Sequence, residues 1–107
     1  MTEQVTMQEQ IKQTVTDNNI VLFMKGNASF PQCGFSGKAI QILTALEAEF
    51  VTVDVLSNDE VRSGIKEYSN WPTVPQLYVK GEFIGGCDIM TEMYEAGELK
   101  GVVSASA

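Results

Sequence analysis

No histidine occurs among the 107 residues. That absence removes His-based general acid/base catalysis, Cys-His nucleophile pairs and His-containing metal sites together. Basic side chains are scarce as well, seven against fourteen acidic ones, for a net charge of -7. Phosphate binding needs a basic face, so the balance argues against a nucleic-acid partner. The longest apolar run, Ile20-Val21-Leu22-Phe23-Met24, is five residues, far short of the roughly 20 that a membrane-spanning helix requires. The first twenty residues show neither a basic start nor a continuous apolar stretch, so no targeting segment is expected. Only two cysteines, Cys33 and Cys87, are present, and a secreted domain of this size stapled by disulfides normally carries more. A reducing, cytoplasmic setting is the expectation. There is no internal repeat and no low-complexity segment, and the length suits a single domain over 1–107.

What is present has clear order. Met7, Ile11 and Val15 recur at helical spacing behind Thr6 and Glu9, which have capping-box spacing and predict a first amphipathic helix from Thr6 to Asp17. The run 20–24 reads as a strand buried on both faces. The turn formers of 26–34 follow, and then Ala39, Ile40, Leu43, Leu46 and Phe50 resume helical spacing, with Cys33 at the helix start. Val51, Val53 and Val55 alternate with Thr52 and Asp54 in a second strand over 50–56, giving a right-handed parallel strand-helix-strand unit. Ser57-Asn58-Asp59-Glu60 is a second capping box, opening a helix that ends near Ser69-Asn70. Lys80-Gly81, between 76–79 and 82–84, predicts a tight hairpin. Asp88 is placed as N-cap of a last helix closed by Gly97. The order predicts an α/β fold, a four-stranded mixed sheet with helices on both faces. Ligands of such sheets sit beyond the carboxyl ends of the parallel strands, where Cys33 follows the first strand.

A thiol at a helix N-terminus meets unpaired N–H groups and the positive end of the helix dipole, both of which favour thiolate. Cys33 has that placement, and Lys25 brings a positive charge near. The competing reading is a small buried structural cysteine. Ser36 stands where a C-x-x-C pair would have its second cysteine. A dithiol cycle at this site is thereby excluded, and an outside thiol, glutathione being the abundant candidate, must complete any exchange. Cys87 reads equally well as a resolving thiol or as a half-buried turn residue. Lys38 and Lys66 read as parts of solvated helix faces, Trp71 as a core anchor ahead of a place on a partner-facing surface, and Phe35 as a semi-exposed neighbour of Cys33.

Met24-Lys25-Gly26, Pro31-Gln32-Cys33-Gly34-Phe35-Ser36, Trp71-Pro72-Thr73-Val74-Pro75-Gln76 and Gly85-Gly86-Cys87-Asp88, in this order and spacing, resemble the signature blocks of the monothiol glutaredoxins with a CGFS active site. The resemblance covers nearly the whole chain. It implies a thioredoxin-like fold, a cis peptide before Pro75 and a groove for glutathione. It also implies an iron-sulfur carrier more than an efficient reductase, with a 2Fe-2S cluster bridged in a homodimer by one cysteine per chain and two glutathione thiols. Cys33 would be the cluster ligand and the reactive thiol. Lys25 and Arg62 would meet the glycine carboxylate of glutathione, Thr73 and Val74 before Pro75 would pair with its peptide, and Cys87 and Asp88 would hold its γ-glutamyl end. A BolA-like protein, iron-sulfur scaffolds and acceptor proteins are the implied partners. Asn27-Ala28 stands where the family commonly carries Thr-Pro or Ser-Pro, a departure that concerns the stiffness of the loop. Chain chemistry agrees: a 2Fe-2S cluster takes four thiolates, and two cysteines oblige it to borrow ligands. The alternative is a glutathione-dependent thiol-disulfide oxidoreductase working through the same Cys33.

Overall fold

The computed structural model describes residues 6–105. Its central element is the apolar run itself, strand β1 (Ile20–Met24), buried at every position. Burial on both faces follows from its place inside the sheet. Strand β2 (Val51–Asp54) pairs with it in parallel, with Leu22 opposite Thr52. Strand β3 (Gln76–Val79) pairs with it antiparallel on the other side, and β4 (Glu82–Gly85) closes the order β2-β1-β3-β4.

Alternation along β1 divides the core in two. Ile20, Leu22 and Met24 join Ala39, Ile42 and Leu43 of helix α2 (Gly34–Ala45), Met90 of α4 (Cys87–Glu95), and Leu99 and Val103 of α5 (Glu98–Ala105). Val21 and Phe23 face the other way, onto Tyr78, Ile11 and Val15 of helix α1 (Met7–Asp17) and Ile65 of α3 (Asp59–Ser69). Helices therefore cover both faces, as the element order predicts. A period of two in the strand meeting a period of 3.6 in the helices gives each face its own apolar layer.

Local signals explain most boundaries. Thr6 accepts the Glu9 N–H at 3.1 Å and its hydroxyl donates to the Glu9 carboxylate at 3.1 Å. Lys80 and Gly81 both have positive φ, 52° and 80°, the backbone of a tight two-residue hairpin turn. Other boundaries differ from expectation. The cap of α3 is Asn58, whose side chain accepts from the N–H groups of Glu60 and Val61, while the Ser57 hydroxyl donates to the Asp54 carbonyl instead. Strand β2 is shorter than the predicted 50–56, because the Asp54 carboxylate takes the Leu56 N–H at 2.8 Å and turns the chain out of the sheet. Helix α4 starts at Cys87 with Gly86 as its cap, so Asp88 belongs to the first turn and is not the N-cap. Beyond Gly97, at φ 77°, the chain forms an additional helix, α5, whose Leu99 and Val103 lie one turn apart and buried.

The core also holds a phenol. Tyr78 is 1% exposed, and burial pushes its pKa up to about 12, against a smaller lowering by the Ser69 hydroxyl. An unfolded tyrosine ionises near 10, so the folded state keeps its proton longer. The contribution of Tyr78 to stability should be level below pH 10 and fall by about 2–3 kcal/mol as pH rises through 12. Denaturant unfolding at pH 9 and pH 11 measures the slope, and Tyr78→Phe should remove this part of it.

Candidate functional site

Cys33 is the N-cap of α2, in extended conformation (φ -151°, ψ 139°), with its carbonyl accepting the Gly37 N–H at 2.9 Å. Its thiol is partly exposed, so the sulfur stays available. The thiol is held below its ordinary pKa. The backbone N–H of Ser36 is the largest cause, opposed by burial, and the Phe35 N–H, the charge of Lys25 and the Ser36 hydroxyl assist. Ser36 is fully buried, and its oxygen also accepts the backbone N–H of Lys25 at 3.1 Å. One hydroxyl thus ties the thiol to the end of β1.

Hydrogen bonds and one obligatory glycine shape the loop between them. Gly26, at φ 87°, donates its N–H to the Asp54 carboxylate at 2.9 Å, and a Cβ there would stand 2.4 Å from the Phe30 carbonyl oxygen. Only glycine fits that position. Gln32 N–H returns to the Lys25 carbonyl at 2.9 Å. At the tip the Asn27 side chain accepts the N–H groups of both Ser29 and Phe30 at 2.9 Å. Side-chain bonds to the backbone therefore brace the loop at Asn27.

The eight predicted site residues, Cys33, Lys25, Arg62, Thr73, Val74, Pro75, Cys87 and Asp88, all line one groove of about 540 Å³. That size suits a small ligand. The Val74–Pro75 peptide bond is cis, as the resemblance implies. Cys33 and Cys87 are both free thiols on this groove. Lys38 is not among its lining residues, but Lys66 is, one helical turn beyond Arg62. Lys66 is exposed, as expected of a solvated helix face, and its i, i+4 spacing from Arg62 puts both on the face of α3 that lines the groove. Trp71 is 45% exposed and forms part of the groove, so it is not the core anchor expected of it. One side of its ring meets Phe83, with centroids 6.3 Å apart, which leaves the rest to the surface. Phe35 is 64% exposed beside the thiol.

Three cations against the single carboxylate of Asp88, in a chain of net charge -7, make the groove a focused positive site in a negative molecule. Arg62 is partly engaged, 3.4 Å from the exposed Asp59 carboxylate. At the other end, the first N–H groups of α4 at Cys87 and Asp88 have no partner within the helix, an arrangement suited to a carboxylate. What the groove can do is hold a small molecule with two carboxylates and present it to an ionisable thiol. The iodoacetamide rate of Cys33, followed across pH, should show a midpoint below that of free cysteine and move upward in Ser36→Ala. A midpoint at or above the ordinary thiol value would contradict the assigned activation.

Comparison with known proteins follows the same outline. The family model described as Glutaredoxin matches residues 20–84. A monothiol glutaredoxin of Synechocystis is 59% identical over 90 residues, covering 84% of each chain. Glutaredoxin 4 of Escherichia coli is 46% identical over 99 residues, covering 92% of this chain and 86% of its own. The solution structure of a reduced apo poplar glutaredoxin superposes with a TM-score of 0.80 at 52% identity, covering 91% of this chain and 89% of that one. Among the described residues no helix is long and apolar enough to cross a membrane.

Proposed function

The chain belongs to the glutaredoxin family, in its monothiol form, and from that premise we propose that it carries a 2Fe-2S cluster between two copies of itself with glutathione as co-ligand. Each copy supplies Cys33, and each bound glutathione supplies its thiol. The cluster is the cargo, taken from a scaffold and handed to acceptor proteins, with a BolA-like protein as a further partner. The observation that carries the reading is the single activated thiol at the mouth of a cationic groove. Among the described residues no group of three or more His, Cys, Asp or Glu side chains converges on a metal position. A cluster needing four ligands must therefore be shared.

The residues present fit glutathione by charge and by backbone. Lys25 and Arg62, with Lys66 beside them, take the glycine carboxylate. Thr73 and Val74, held before the cis bond to Pro75, offer their backbone to the peptide. The α4 N-terminus at Cys87 takes the γ-glutamyl carboxylate, and the Asp88 side chain the ammonium. Anaerobic incubation with iron, sulfide and glutathione should give a coloured dimer that reverts to a colourless monomer when glutathione is removed. A colourless monomer throughout would reject the carrier role.

The same exposed thiolate supports a second activity, removal of glutathione from mixed disulfides. Cys33 thiolate attacks the glutathione sulfur of a protein-glutathione disulfide, the protein leaves as thiolate, and Cys33 holds the glutathione. A second glutathione thiolate then attacks that disulfide, freeing Cys33 and releasing oxidised glutathione. Ser36 cannot resolve the intermediate, so this route takes its resolving thiol from a second glutathione. Fast turnover of such a substrate, lost in Cys33→Ser, would place this activity first.

A further inference from the structure

One wall of the groove is the segment 71–74, which belongs to neither α3 nor β3. Its place is held from beneath by an amide sealed in the core. Gln76 is 0% exposed, on a strand whose other residues, Leu77, Tyr78 and Val79, are buried too. Its Nε2 donates to the Thr73 carbonyl at 3.0 Å and to the Trp71 carbonyl at 3.3 Å, and its Oε1 accepts the Tyr78 hydroxyl at 3.2 Å. Two carbonyl acceptors require the NH₂ end on their side, and the phenol then donates to the oxygen end, so the amide has one orientation. The same wall is fixed at its start by the Trp71 N–H, which donates to the Ser69 hydroxyl and the Lys66 carbonyl, each at 3.1 Å.

Stability alone does not account for an amide here. Burying it is costly unless it is fully bonded, and at best it matches an apolar side chain of the same shape. Its bonds go to the two carbonyls that bracket Pro72, in the stretch that reaches the groove. Resting on the glutathione reading above, we propose that Gln76, locked by Tyr78, is a positioning residue that sets the height of the 71–74 wall and thereby the fit of Thr73 and Val74 to the tripeptide. Gln76 itself does not line the groove.

Gln76→Met keeps the volume and deletes all three bonds, while Tyr78→Phe keeps both bonds to the wall carbonyls and deletes the phenol's bond to the amide together with its contact to the Ser69 hydroxyl. Trp71 is the single tryptophan, so its fluorescence reports the wall directly in the ligand-free protein. Gln76→Met should increase acrylamide quenching of Trp71 and weaken glutathione binding by about tenfold or more, because the ligand must then order the wall itself. The alkylation profile of Cys33 should stay as in wild type, which separates this role from general damage to the site. Tyr78→Phe should shift quenching and affinity in the same direction by less, and it decides the matter if Gln76→Met does not fold. Wild-type quenching in a folded variant, or altered quenching with unchanged glutathione affinity, overturns the proposal. Should wild type itself bind no glutathione, the functional reading falls, and Trp71 quenching still decides whether Gln76 holds the wall.

Discussion

Cys33→Ser is expected to remain colourless and monomeric under the anaerobic reconstitution that colours and dimerises the wild-type chain. The loss should be complete, because a serine hydroxyl is not ionised near neutral pH and leaves the cluster without its assigned protein ligand. Unfolding will not be the reason. Cys33 is the N-cap of α2, and serine is a preferred residue there, so stability should hold or rise by about 1 kcal/mol at most. Thermal unfolding of the variant checks this independently of the cluster. Normal cluster assembly by Cys33→Ser would show that another group is the ligand. Cys87→Ser serves as the control and should retain assembly, since the contribution assigned to Cys87 is its backbone.

Lys25→Glu should weaken glutathione binding by about 1–3 kcal/mol, the worth of a charge-assisted bond together with new repulsion of the carboxylate. Two features make Lys25 the dominant cation. Its ammonium stands in no ion pair among the described residues, whereas Arg62 shares its charge with Asp59 at 3.4 Å. It also acts on the thiol, since its charge is one of the causes that lower the Cys33 pKa. The glutamate variant should therefore lose affinity and show an upward shift of the alkylation midpoint. Arg62→Glu should lose less affinity and leave that midpoint in place. Titration calorimetry with glutathione and the pH dependence of alkylation separate the two effects, and equal affinity in Lys25→Glu would remove Lys25 from the site.

Much of this molecule is readable along the chain because its signals are local. The five-residue apolar run can only be a central strand, the Thr6 and Glu9 cap closes within one turn, and Lys80-Gly81 accepts the positive φ values that a tight hairpin demands. Where competing local signals sit side by side, the outcome depends on a longer-range contact. Asn58 capped α3 in place of Ser57 because the Asp54 carbonyl claimed the Ser57 hydroxyl. Helix α5 had too weak a pattern to stand out, with Gly101 in its middle, and it forms because Leu99 and Val103 find an apolar layer already built by β1 and α2. Trp71 shows the opposite case, a large aromatic whose partner Phe83 covers only part of it.

From sequence alone come the strand-helix alternation, the absence of imidazole chemistry, a lone helix-starting thiol with serine three residues on, and the cations fit to serve it. These follow from residue type and near spacing, which hold whatever the chain does at a distance. Tertiary structure alone decided that Trp71 lines the groove, that Lys66 joins Lys25 and Arg62 there, and that a buried Gln76 underlies the wall. The reason is physical: charge, desolvation and hydrogen-bond satisfaction are properties of a site in space, and no stretch of sequence contains them until the sheet brings its ends together.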